Sequence, residues 1–112
     1  ARPMRDRQRG AGKVYRGERT IDGIAVTVDG RPLDDARGVQ AFSRNGFEWG
    51  YEGPEPTQLA LAILVDHWGD PQRALAGCRA FMRDVTANFG NEWEMTRGDV
   101  EAALAALGLA GR

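Results

Sequence analysis

Between Thr57 and Trp68 the chain reads T-Q-L-A-L-A-I-L-V-D-H-W, with seven apolar residues in an unbroken run. A helix that is apolar on every side is normally buried inside its own protein. This one is far shorter than the roughly 20 apolar residues that a membrane crossing needs. The pattern therefore predicts a core helix over about Thr57–Trp68, ended by Gly69 as a C′ glycine. Just ahead of it, Phe47, Trp49 and Tyr51 alternate with Glu48, Gly50 and Glu52. Alternation of this kind predicts a short strand with the three aromatics on one face. Those aromatics serve either as a core wall or as a stacking platform, and the helix that follows at once favours the core wall. Gly50 and Gly53 allow a tight corner, Pro56 suits the first helical turn, and Glu55 is placed as an N-cap or near-cap acid. Gln58 and Asp66 lie eight residues apart, on about the same azimuth. If that side is buried, each needs a hydrogen-bond partner.

The remaining elements follow from the same reading. Lys13–Gly17 reads as a short strand, and Ile24, Val26 and Val28 alternate along a second one before the Asp29-Gly30 turn. Arg31 to Gln40 reads as loop, with Phe42 as its anchor and a second turn over Ser43–Gly46. After the core helix, Asp70 and Pro71 open a helix extending to Asn88. Its apolar stripe is Leu75, Cys78, Phe81, Met82, Val85 and Phe89. Glu92 to Met95 is a brief strand or extended link carrying Trp93. Thr96 then caps a last helix with Asp99 in the capping-box position. The order is β-β-β-α-α-(β)-α, which makes an α+β fold: a small antiparallel sheet packed on about three helices. Residues 13–108 form a single α+β domain in this reading, and residues 1–12 a basic flexible arm. Leu59, Ile63, Leu64, Phe81, Val85 and Leu104 are expected to be buried together with Trp49.

Charge changes the picture at one end. The net charge of the 112 residues is −1, but residues 1–19 carry +5 and the remainder −6. A basic arm on an acidic body suggests a polyanionic partner, or an arm that lies on its own domain. A single cysteine, Cys78, leaves no internal disulfide. Neither a signal-peptide pattern nor a membrane-length apolar run is present, so a cytoplasmic location is expected.

Y-R-G near the start, G-F-E-W-G-Y-x-G, P-x-Q-L-A-L-A-I-L-x-D-H and W-E-M-T before the last helix resemble a small family of unknown function found in bacteria, haloarchaea and their viruses. The resemblance spans roughly Tyr15 to Leu107 and omits the arm. It implies a regulatory or host-interaction role, in phages or mobile elements, more than core metabolism. One departure stands out. The family's usual G-Y-G-G-S-G-P-x-Q corner could hold an anion on backbone N–H groups. Here the corner is G-Y-E-G-P-E-P-T-Q: prolines remove donors, and Glu52 and Glu55 add negative charge.

Candidate chemistry is sparse. Ser43, His67 and Cys78 are each the sole residue of their type and are scattered, so no catalytic set is assigned. Asp66, His67 and Asp70 are too few for a metal site, and neither metal nor cofactor is expected. For nucleic acid, the candidates are Arg2, Arg5, Arg7, Arg9, Lys13, Arg16 and Arg19, with the aromatic strand for stacking. The acidic body argues against that reading, and no recognised nucleic-acid motif is present. For a protein partner or a homo-oligomer, the candidates are Trp49, Tyr51, Gln58, Trp68 and Trp93. The sequence therefore orders the readings as a small regulatory or protein-interaction module, then a nucleic-acid-binding protein, then an enzyme.

Overall fold

Strands β1 (Val14–Thr20) and β2 (Gly23–Val28) form a hairpin, paired from Tyr15 opposite Val28 to Thr20 opposite Gly23. The two-residue β3 (Arg31–Pro32) continues from β2 around the predicted Asp29-Gly30 turn, with both turn residues at positive φ. Strand β4 (Glu92–Thr96) returns to the other side of β1, giving an antiparallel sheet in the order β3-β2-β1-β4. The helices are α1 (Pro54–Trp68), α2 (Pro71–Asp84) and α3 (Arg97–Ala106), with a 3₁₀ turn at Thr86–Asn88. The computed structural model describes residues 13–110. The fold is α+β, as the hydrophobic pattern indicates.

Pairing across antiparallel strands puts opposed residues on the same face. Tyr15, Val26, Val28, Trp93 and Met95 are buried on the face turned to the helices. Helix α1 lies across that face, and every residue from Pro56 to Leu64 is buried. Its all-round apolar sequence thus meets the sheet on one side and α2 on the other. Of the expected core, Leu59, Ile63, Leu64, Phe81, Leu104 and Trp49 are buried, while Val85 is half-buried at the edge of the same cluster. Caps work as the sequence indicates. Asp70 accepts the Arg73 N–H at the start of α2, and Thr96 and Asp99 form a reciprocal capping box on α3.

Three expectations are corrected. The segment Phe47–Tyr51 is not a strand, and the third strand is Arg31–Pro32 instead. Gly46 and Gly50 adopt positive φ (86° and 91°), which interrupts an extended run. The segment's polar groups go elsewhere than a neighbouring strand: the Trp49 N–H to its neighbour Glu48, the Trp49 carbonyl to Arg19, the Gly50 N–H to the Thr86 carbonyl. Its aromatics consequently do not share a face, since Trp49 is fully buried whereas Tyr51 is exposed. Second, α1 begins at Pro54, with Gly53 at the N-cap position and no side-chain cap; Glu55 lies in the first turn. Third, α2 ends at Asp84, and the chain tightens into the 3₁₀ turn before Phe89.

Candidate interaction surface

The chain from residue 33 to residue 53 crosses the molecule without regular structure, and one side chain holds its first half. Gln58 is fully buried on α1. Its Oε1 accepts the backbone N–H groups of Phe42 (2.7 Å) and Ser43 (3.1 Å). Its Nε2 donates to the carbonyls of Asp35 (2.7 Å) and Gln40 (3.0 Å). All four hydrogen-bonding positions of the amide are thereby used. Asp66, two turns on, accepts from the Tyr15 hydroxyl (2.7 Å) and from Lys13 Nζ (2.9 Å). Burial and that carboxylate together push the Tyr15 hydroxyl well above the ordinary phenol range.

Arg19 holds the second half of the long segment. Its guanidinium donates to Glu48 (2.8 and 3.1 Å), to the Trp49 carbonyl (2.7 Å) and to Asn91 (2.6 Å), and it lies 4.9 Å from the centre of the Trp49 ring. Its hydrogen bonds hold the Glu48 carboxyl below the usual carboxylate range. Trp49 in turn donates its indole N–H to the Gly90 carbonyl (2.7 Å) and meets Trp93 edge to face. Trp93 stacks on Phe89 and lies flat against Gly17, where a Cβ would come within 2.3 Å of its indole nitrogen. Only glycine fits there.

The five residues singled out for a partner divide by this geometry. Trp49 and Gln58 are fully buried and Trp93 is nearly so; these three serve the core and do not form an accessible surface. Trp68 is half-buried beneath the Arg73 guanidinium, 4.0 Å from its ring centre. Tyr51 is exposed, and its hydroxyl donates to Glu55 at 2.8 Å. Partial burial of the ring, and then that carboxylate, push its hydroxyl up to about 12.

Of the seven cationic candidates, Arg2, Arg5, Arg7 and Arg9 lie outside the described residues. The other three each face a carboxylate: Lys13 faces Asp66, Arg16 faces Glu94, and Arg19 faces Glu48.

Asp66, His67 and Asp70 do not converge. Asp66 faces the sheet, Asp70 caps α2, and His67 Nε2 lies 3.7 Å from Glu101 on α3. Among the described residues there is no group of three His, Cys, Asp or Glu placed to hold a metal ion. Cys78 is buried, and burial pushes its thiol up. The His67 side chain is 5 % exposed, and burial, outweighing Glu101, holds its imidazole below the ordinary histidine range. The unfolded chain therefore binds that proton more readily. Stability should be complete above about pH 6.5 and fall as the solution is acidified below it, by at most about 1.4 kcal/mol per pH unit for one proton. Urea melts of wild type and His67→Gln between neutral and mildly acidic pH should show a shallower slope in the variant. Equal slopes would assign the acid sensitivity to other groups.

Among the described residues, no helix covers the opposite face of the sheet. Arg16, Glu18 and Thr20 on β1, Gly23 and Ala25 on β2, and Glu92 and Glu94 on β4 are all exposed there. Their register forms two rows across the strands. One is Glu94–Arg16–Thr27, in which Arg16 Nε donates to Glu94 at 3.1 Å. The other is Glu92–Glu18–Ala25, in which two glutamates are paired directly opposite each other. Among the described residues neither Glu18 nor Glu92 has an ion-pair partner. The short Ala25 side chain leaves a shallow depression of about 440 Å³ among these longer residues. Sequence reading missed this pair. The alternation along β1 and β4 marks each glutamate as outward-facing, but only the register makes them neighbours. A second concavity, of about 610 Å³, lies where the long segment passes β2, between Ile24, Leu33, Asp34, Asp35 and Phe47.

A model of a family described as a family of unknown function, DUF6166, matches residues 15–106. No curated protein and no solved structure matches the chain. No helix among the described residues is long and apolar enough to cross a membrane.

Proposed function

The chain belongs to that family of unknown function, and we propose on this premise that it is a small protein-interaction module whose contact surface is the uncovered face of its sheet. The observation that supports this reading most is the Glu18–Glu92 pair. Like charges directly opposite on neighbouring strands destabilise a sheet. A cationic group brought by a partner relieves that repulsion and gains charge-assisted hydrogen bonds to both carboxylates. The partner is then a protein with a basic contact surface. The finer reading is regulatory, in a phage or mobile-element setting, with action on a host protein and anti-defence among the roles; gene neighbourhood tests it.

At the bench, the wild type and a Glu18→Lys/Glu92→Lys variant are used as bait in host extract, and the retained proteins compared. The expected result is a basic protein kept by the wild type and lost by the variant, with an unchanged melting temperature. Identical retention by both baits would refute the sheet face as the contact surface. DNA and RNA binding is measured alongside at two salt concentrations. Salt-sensitive binding that the glutamate substitutions leave unweakened would instead support the nucleic-acid reading through Arg2, Arg5, Arg7 and Arg9.

A further inference from the structure

The sheet face that the proposed function relies on has a candidate occupant within the chain itself. We infer that the arginine-rich segment of residues 1–12 binds the outer face of the sheet of its own molecule, at the Glu18–Glu92 pair. This inference rests on the reading of that face as the contact surface.

Three observations lead there. The first is charge. Residues 1–12 contain Arg2, Arg5, Arg7 and Arg9 against the single acid Asp6. The outer face presents Glu18, Glu92 and Glu94 against Arg16, which Glu94 already neutralises. The second is attachment. The segment leads into Lys13, directly before β1, and β1 is the strand that carries Glu18, between β2 and β4. Glu18 lies five residues beyond Lys13, about 17 Å along a strand, and twelve residues can reach about 40 Å, so the link is long enough to turn back over it. The third is spacing. Arg5, Arg7 and Arg9 recur at every second position, as Glu92 and Glu94 do along β4. Each guanidinium offers a planar fork of donors suited to a carboxylate. Gly10 and Gly12 stand between the arginines and Lys13 in the sequence, and glycine restricts the backbone least.

Linkage to the same molecule favours this occupant, because a short tether gives it an effective concentration in the millimolar range.

The test uses the full chain with a nitroxide on Ala1→Cys, since Cys78 is buried and leaves residue 1 as the accessible thiol. Amide signals of Glu18, Ala25 and Glu92–Glu94 should lose about half their intensity at roughly 0.01 M salt and recover near 1 M, where the screening length is about 3 Å. Signals from α1 and α2 should be unaffected. The loss should also disappear in Glu18→Gln/Glu92→Gln, whose spectrum reports whether it is folded. Loss spread evenly over the molecule, or loss that persists in the glutamine variant, would overturn the inference. A sample mixing spin-labelled, isotopically unlabelled chain with unlabelled-spin, isotope-enriched chain separates the two molecular origins. Equal loss in that mixture would mean that the segment reaches a second copy, which overturns binding within one molecule. If the segment does not bind and the bait experiment still depends on Glu18 and Glu92, the interaction reading stands and this inference alone falls.

Discussion

Replacing Gln58 by leucine is expected to destabilise the protein by about 4 kcal/mol, although leucine is similar in size and suits a helix as well. The reason is what remains behind. The buried N–H of Ser43, the partly buried N–H of Phe42 and two partly buried carbonyls, of Asp35 and Gln40, lose their partner together. Each orphaned group costs roughly 1–3 kcal/mol if it stays dry, and movement of the segment toward water recovers part of the sum. Denaturant melts give the total. Hydrogen exchange locates it: the amides of Phe42 and Ser43 should lose protection while those of β1 and β2 keep theirs relative to the lowered global stability. A loss under about 1 kcal/mol would show that the segment is held by its apolar contacts and that the amide is incidental.

Trp49→Ala should cost about 5 kcal/mol, the upper end for an aromatic removed from a core. Trp49 is fully buried, its indole N–H is bonded to the Gly90 carbonyl, and its ring faces both Trp93 and the Arg19 guanidinium. Truncation opens a cavity between the sheet and the long segment and frees Trp93, which no side chain at Gly17 can then support. Tyr51→Phe, two residues away, should change stability by no more than about 0.5 kcal/mol, because that ring is exposed and loses a surface hydrogen bond. Thermal melts of the two variants side by side decide the matter. Comparable losses would restore the picture of one aromatic face shared by both residues.

The contrast between Trp49 and Tyr51 marks where local reading stops. Alternation in Phe47–Tyr51 has the period of a strand, and period alone assigns a common face. Gly50, at positive φ, and the Arg19 hydrogen bond to the Trp49 carbonyl turn the chain between them, and Arg19 is distant in sequence. Gln58 falls on the other side of the line. A polar residue at the start of an all-apolar helix announces that it needs buried partners, though their identity cannot be read from the helix.

What the sequence by itself determined was everything carried by neighbours within a few positions. The apolar run of α1, the alternation in β2, the Asp29-Gly30 turn, the Asp70 cap and the Thr96–Asp99 capping box all depend on local periodicity or short-range hydrogen bonds. These are properties of consecutive residues. What only the tertiary structure decided was the strand order, which puts β4 beside β1, and with it the candidate contact surface. Glu18 and Glu92 are 74 positions apart in the chain. They oppose each other because burial of Tyr15, Gly17, Trp93 and Met95 on the helix side sets the register, and a slip of one residue would turn the glutamates of β4 inward. Hydrophobic burial thus fixes one face of the sheet, and the charges on the other face follow from it.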